Sequence, residues 1–169
     1  MTFLRALRPA SGLLLFVVVS IVALIPRSAA SDEPAQLLDL GAHRGKVVVV
    51  DFWASWCVPC RRSFPWLDAM QRKYGEDGLV VIGVNEDSAA EEAAAFLKDV
   101  PVSFLIVRDT DGALAREFDL TAMPSSYVIG RDGELAARHL GFKSAKQGEY
   151  EETLRRLLQP DTARNDIGH

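Results

Sequence analysis

The chain has 169 residues, 49% hydrophobic and 25% charged, a balance that suits one domain with its own core and excludes a disordered or fibrous chain. Nineteen basic side chains against 23 acidic ones give a net charge of −4. With the three arginines of residues 1–30 set aside, 16 basic residues face 23 acidic ones, and without a basic stripe this argues against nucleic-acid binding.

Residues 1–30 read as an address. Arg5 and Arg8 precede an uncharged run from Pro9 to Pro26, whose apolar heart is Leu13–Ile25, and the small residues Ser28-Ala29-Ala30 follow. A cleaved secretory signal fits the short apolar heart, since a spanning helix needs about 20 residues. An uncleaved membrane anchor fits the longer uncharged stretch. A helix buried in the domain is the remaining alternative. Both leading readings keep the positive N-terminus in the cytoplasm and put the domain, residues 31–160, outside it. The absence of a twin-arginine pair points to the general secretory route.

Beyond Ser31 the chain reads as an entry segment, with a short strand at Leu37–Leu40 and a turn at Gly41–Gly45. Val47–Ala54 is a near-continuous apolar run, the pattern of a strand covered on both faces. Cys57–Tyr74 reads as a helix, with Pro65 inside it as a kink point. Leu79–Val84 is a second buried strand, and Ser88 is placed to cap a helix reaching Asp99. Phe104–Val107 is a short strand, Asp109–Gly112 a turn and Ala113–Phe118 a helical turn. Ser125–Ile129, the Arg131-Asp132-Gly133 turn and Glu134–Leu140 form a β-hairpin. Gln147–Leu158 is a final amphipathic helix, and residues 161–169 are a polar, flexible tail. This order predicts an α/β fold, a central mixed β-sheet flanked by helices.

The chemistry is concentrated in Trp56-Cys57-Val58-Pro59-Cys60, which holds both cysteines of the chain. Sulfurs three residues apart at the start of a helix share one face and can close a disulfide without straining the backbone. The helix N-terminus favours the thiolate of the first cysteine. Closing and reopening that bond moves two electrons, so no cofactor is implied. A purely structural staple is the plainer reading, but a bridge spanning two residues removes little chain entropy. Zinc would need four ligands, and only His43, His139 and His169 could join the cysteines, none clustered with another. Asp51 lies in the most apolar run of the chain, where burial raises a carboxyl toward the range of a useful base. The plainer reading is a hydrogen-bonded strand-end acid.

Asp51-Phe52-Trp53-Ala54-Ser55-Trp56-Cys57-Val58-Pro59-Cys60 resembles the active-site stretch of the thioredoxin superfamily. Arg44-Gly45-Lys46 before the strand, Cys60-Arg61 with Pro65, and the helix-bearing stretch between Val84 and Phe104 resemble its exported TlpA/ResA-type thiol-disulfide oxidoreductases. The resemblance covers Leu37–Leu158 and implies a thioredoxin-like fold with a TlpA/ResA-type helical insertion. It implies Cys57 as a partly exposed nucleophile and Cys60 as the resolving thiol, with Val58 and Pro59 tuning the couple. Met123-Pro124 resembles the cis-proline loop that pairs with a client's backbone, and Trp56 offers a client a flat apolar face. Glu86 is a second acid candidate, weighed against a solvated loop charge. Two positions depart from the subgroup: Asp51 stands where many relatives have Asn, and Ser63 where many have Glu.

The function so implied is a periplasmic or otherwise extracytoplasmic reductase. It would keep client cysteines reduced, as in cytochrome c maturation or copper-site assembly, and take electrons from a membrane thiol transporter. The expected protein is a monomer that touches the membrane only through an uncleaved N-terminal segment. A thiol oxidase or isomerase on the same fold is the alternative. A copper-delivery module, with His139 as a distant ligand, is a further one, although that class usually carries C-x-x-x-C.

Overall fold

A computed structural model describes residues 38–160. The expected signal or anchor at 1–30, the start of the entry segment and the expected tail at 161–169 lie outside the described residues.

The valine run becomes the central strand. β1 (Val47–Trp53) is buried at every residue. β2 (Leu79–Asn85) pairs parallel with it, and β3 (Leu105–Arg108) pairs parallel with β2. On the other side β4 (Ser125–Ile129) runs antiparallel to β1, and β5 (Leu135–Leu140) antiparallel to β4. The sheet order is β3-β2-β1-β4-β5.

Among the described residues four helices cover the sheet: α1 (Cys60–Tyr74), α2 (Ala90–Asp99), α3 (Ala113–Glu117) and α4 (Gln147–Leu158). Alternation along β1 sends Val47, Val49 and Trp53 into one apolar cluster with Phe64 and Leu67 of α1, Phe96 of α2 and Leu154 of α4. Val48, Val50 and Phe52 face the other cluster, with Leu114 of α3 and Tyr127 of β4. On the first face, Trp53 packs against Phe64 and Phe96 at ring-centroid distances of 4.8 Å each, and Phe64 meets Phe104 at 5.3 Å. Such pairs contribute about 0.5–1.5 kcal/mol each beyond burial, and they pin α1 and the inserted α2 to the strand that carries the site.

Several local expectations change. Of the strand expected at Leu37–Leu40, the described residues Leu38–Leu40 form none: Leu40–His43 is a 3-10 turn, because the Asp39 carboxylate accepts from the Ala42 amide and closes it locally. The main helix begins at Cys60 rather than Cys57, with Pro59 at its N-cap. It continues through Pro65 without a break. Ser88 does not cap α2; Ala89 occupies that position with no side-chain bond.

At the end of the sheet where β1 begins, Arg131 joins three segments. Its guanidinium donates to the carbonyls of Gly45 at 2.6 Å, Asp77 at 2.9 Å and Leu158 at 2.9 Å. Among the described residues no helix is long and apolar enough to cross a membrane.

Candidate active site

The site forms where β1 ends. The Cys57 amide donates back to the Ala54 carbonyl at 3.1 Å, and the Cys60 amide to the Cys57 carbonyl at 3.0 Å. These bonds wind the chain from strand into helix. Pro59 suits the helix start because no amide donor is needed there. Cys57 therefore lies two residues ahead of the N-cap, at the positive end of α1. Cys57 and Cys60 are joined in a disulfide, Cα atoms 5.3 Å apart.

Cys57 is less accessible than expected. It is 4% exposed and belongs to the cluster of Phe64 and Trp53, because the Ala54–Cys57 turn folds its sulfur onto the start of α1. Its neighbours stand out instead: Trp56 is 67% exposed and Val58 66%. Large apolar groups at that exposure form an apolar rim beside the disulfide.

Asp51 is fully buried in the middle of β1. It points, like Val49 and Trp53, to the face covered by α1. Burial pushes its carboxyl up from 3.8 to about 7, against a smaller downward pull from the Ser126 hydroxyl, which donates to Oδ1 at 2.5 Å. Oδ2 is buried with no protein partner. Gly83 sits beside Asp51 on β2, where a Cβ would meet Ile106 Cδ1 at 2.9 Å and Trp53 Nε1 at 3.2 Å. Ile106, Phe104 and the Trp53 indole thus close that side of the carboxyl.

Glu86 is half-buried, not a solvated loop charge. Its amide donates to the Trp53 carbonyl at 2.9 Å. Burial, then the Asp109 charge and a hydrogen bond with Asp109, push its carboxyl up to about 7. Glu86 Oε1 and Asp109 Oδ1 are both buried with no other protein partner.

Asp87 is the site residue that sequence reasoning missed. Buried behind the active-site loop, its carboxylate accepts from the Ser55 amide at 2.9 Å, the Ser55 hydroxyl at 2.9 Å and Asn85 Nδ2 at 2.7 Å. The signal was present as the second acid of Asn85-Glu86-Asp87, but only the register separates the clamp from its neighbour.

The Met123–Pro124 peptide is cis. Pro124 is buried just before β4, and its carbonyl accepts from the Gly141 amide at 2.8 Å. Met123 and Trp56 share a groove with Leu120, Thr121 and Ala122, so the structure brings these two client-facing candidates together.

A redox disulfide at the exit of the central strand of this five-stranded sheet, under a cis-proline loop, defines a thiol-disulfide oxidoreductase of the thioredoxin superfamily, TlpA/ResA-like in its inserted helix. The chain belongs to the Redoxin family, whose model matches residues 23–154. It is similar to the thiol-disulfide oxidoreductase ResA of Bacillus thuringiensis subsp. konkukian (strain 97-27), 26% identical over 132 residues, 78% of this chain and 75% of that protein. It is similar to the thioredoxin-like protein YneN of Bacillus subtilis (strain 168), 32% identical over 122 residues, 70% of this chain and 69% of that protein. Among solved structures, a putative thiol:disulfide interchange protein DsbE from Chlorobium tepidum superposes with a TM-score of 0.69 at 40% identity, covering 71% of this chain and 85% of that one.

Proposed function

We propose that this oxidoreductase is an exported reductase of protein disulfides, acting in the periplasm or an equivalent extracytoplasmic space. The observation that carries the reading is the Cys57–Cys60 disulfide set between the exposed Trp56 and Val58 at the mouth of the Met123 groove. A client chain docks along Trp56, Met123 and Pro124, as an added strand would. The Cys57 thiolate attacks one sulfur of the client disulfide, and the other sulfur leaves as a thiolate. Cys60 gives its proton to the Asp51 carboxylate and attacks Cys57 Sγ. The Cys57–Cys60 bond forms, and the client is released with both sulfurs reduced. Val58 and Pro59 set the stiffness of the turn and so tune the couple. Glu86 is a second proton store near neutrality.

The client classes are cytochrome c haem-attachment cysteines and copper-site cysteines. A membrane thiol transporter returns the electrons, and the protein works as a monomer tethered, if at all, by residues 1–30.

The test is the reduction potential of the Cys57/Cys60 couple in a dithiothreitol or glutathione redox buffer. A reductase gives a value between about −270 and −200 mV. A value near about −120 mV would make the protein an oxidant and end this reading. The order of the sulfurs is checked separately. Cys57→Ser abolishes activity, whereas Cys60→Ser accumulates client adducts on Cys57; normal release of clients by Cys60→Ser would reverse the assignment.

A further inference from the structure

Asp51 lies in a row that crosses the whole sheet. Its register partner on β4 is Ser126, and the partner of Ser126 on β5 is His139. Residues directly opposite in antiparallel strands point to the same face. The three polar side chains therefore stand side by side under α1 and α4. On the other side of Asp51 the row continues through Gly83 and Ile106, with no polar side chain. A proton on Asp51 has a polar way out toward β5 and an apolar wall toward β3.

Beyond Ser126 the way is open for one step. Ser126 and His139 line a cavity of about 20 Å³, walled by Val49, Leu67 and Val128 and by the hydroxyl-bearing Ser63. A water needs about 10–15 Å³ of such space and polar partners, and this cavity supplies both. His139 Nε2 is buried with no protein partner. The same imidazole lines a second, open pocket on its outer side. It therefore bridges the interior cavity and solvent.

We propose that Asp51, Ser126 and His139 form a proton exit, through which the proton that Asp51 takes from Cys60 reaches solvent by way of one cavity water. The proposal rests on the reading of Asp51 as the base. Ser126 and His139 are positioning residues for that proton and touch no reacting sulfur. In the mixed disulfide, the Cys60 thiol loses its proton to Asp51 and its sulfur attacks Cys57 Sγ. The Cys57–client bond breaks, and the client leaves as a thiolate that is protonated from solvent. Asp51 then holds one proton more than before. It passes that proton to the Ser126 oxygen while the Ser126 hydroxyl proton moves to the water, and the water protonates His139 Nε2 as Nδ1 releases a proton outside. The electron count is complete within the three sulfurs.

The charges around His139 suit a group that accepts and releases rather than stores. Arg138 on its own strand, and Lys143, Lys146 and Glu149 around the outer pocket, face it, with the Tyr150 ring 4.6 Å away. The cavity side presents no charged side chain beyond the Asp51–Ser126 pair. Burial, and then the Lys146 charge, hold its pKa below the usual histidine range, so the proton does not stay.

The experiment uses the full chain and the adduct of glutathione on Cys57, assembled at low pH and jumped to neutral pH. Acid-quench mass spectrometry follows decay of the adduct. Ser126→Ala and His139→Ala are expected to slow decay by about tenfold, a modest share of what proton transfer can contribute. Ser126→Thr, which keeps the hydroxyl, retains the wild-type rate. Added imidazole restores the rate of His139→Ala, a response that a packing defect would not give. If Asp51→Asn slows decay but Ser126→Ala and His139→Ala do not, or if imidazole fails to rescue, the exit is overturned while the base survives. If Asp51→Asn itself leaves decay unchanged, the base reading fails and the exit falls with it.

Discussion

Replacing Asp51 by Asn should change the pH dependence of folding in a way that isolates one buried carboxyl. Its pKa rises from 3.8 to about 7 on folding, chiefly by burial. Between those values the folded protein keeps a proton that the unfolded chain has lost, so stability falls as pH rises through this window and levels off above about 7. At about 1.4 kcal/mol per pH unit, Asp51 withdraws about 3 kcal/mol of stability between roughly pH 5 and pH 8.5. Asn keeps the shape and the acceptor for Ser126 but does not titrate. Its amide protons lack partners, which costs about 1–3 kcal/mol at every pH and drops out of the comparison between two pH values. Glu86, raised to about 7 as well, titrates in both proteins and cancels. Urea unfolding of the oxidised proteins at several pH values measures the difference. Asp51→Asn should gain about 3 kcal/mol relative to wild type across the range. A difference that stays flat would refute the claim that this carboxyl is buried at the cost of its charge.

Two further predictions use the surroundings of the site. Gly83→Ala places a Cβ 3.1 Å from Phe104 Cε2 and 3.2 Å from Trp53 Nε1, both on buried rings, and should cost about 1–3 kcal/mol in chemical denaturation; an unchanged midpoint would show that the aromatic face yields. Asp87→Asn turns an amide donor toward the Ser55 and Asn85 donors and should lower stability by about 1–3 kcal/mol. It should also slow the first attack by Cys57, because the loop before the cysteine loses its clamp. Wild-type kinetics with lowered stability would confine Asp87 to holding the fold.

Much of the sheet could be read directly. The run Val47–Trp53 is too apolar to lie anywhere but the centre, and the hairpin around Gly133 and the helix Gln147–Leu158 carry their own turn and periodicity signals. The misreadings were local contests between a side chain and the backbone. Asp39 closes a 3-10 turn that apolar neighbours alone would have made a strand. The Cys57 carbonyl takes the Cys60 amide and moves the helix start three residues on. At the site, Asp51 was legible because its burial follows from the valines around it. Asp87 and His139 were not, since what each faces depends on strand register and on which helix lies above, neither of which is written near them in the chain.

The Arg131 guanidinium has an implication for how the molecule is made. Its three carbonyl acceptors come from residues 45, 77 and 158, and the last belongs to the end of α4. A chain growing from its N-terminus has both sulfurs in place long before Leu158 exists. Through that interval this lock lacks its final acceptor and α4 cannot cover the sheet over Asp51. The cysteine pair is therefore made well before the far end of the sheet can be closed, and the last turn of α4 completes that end.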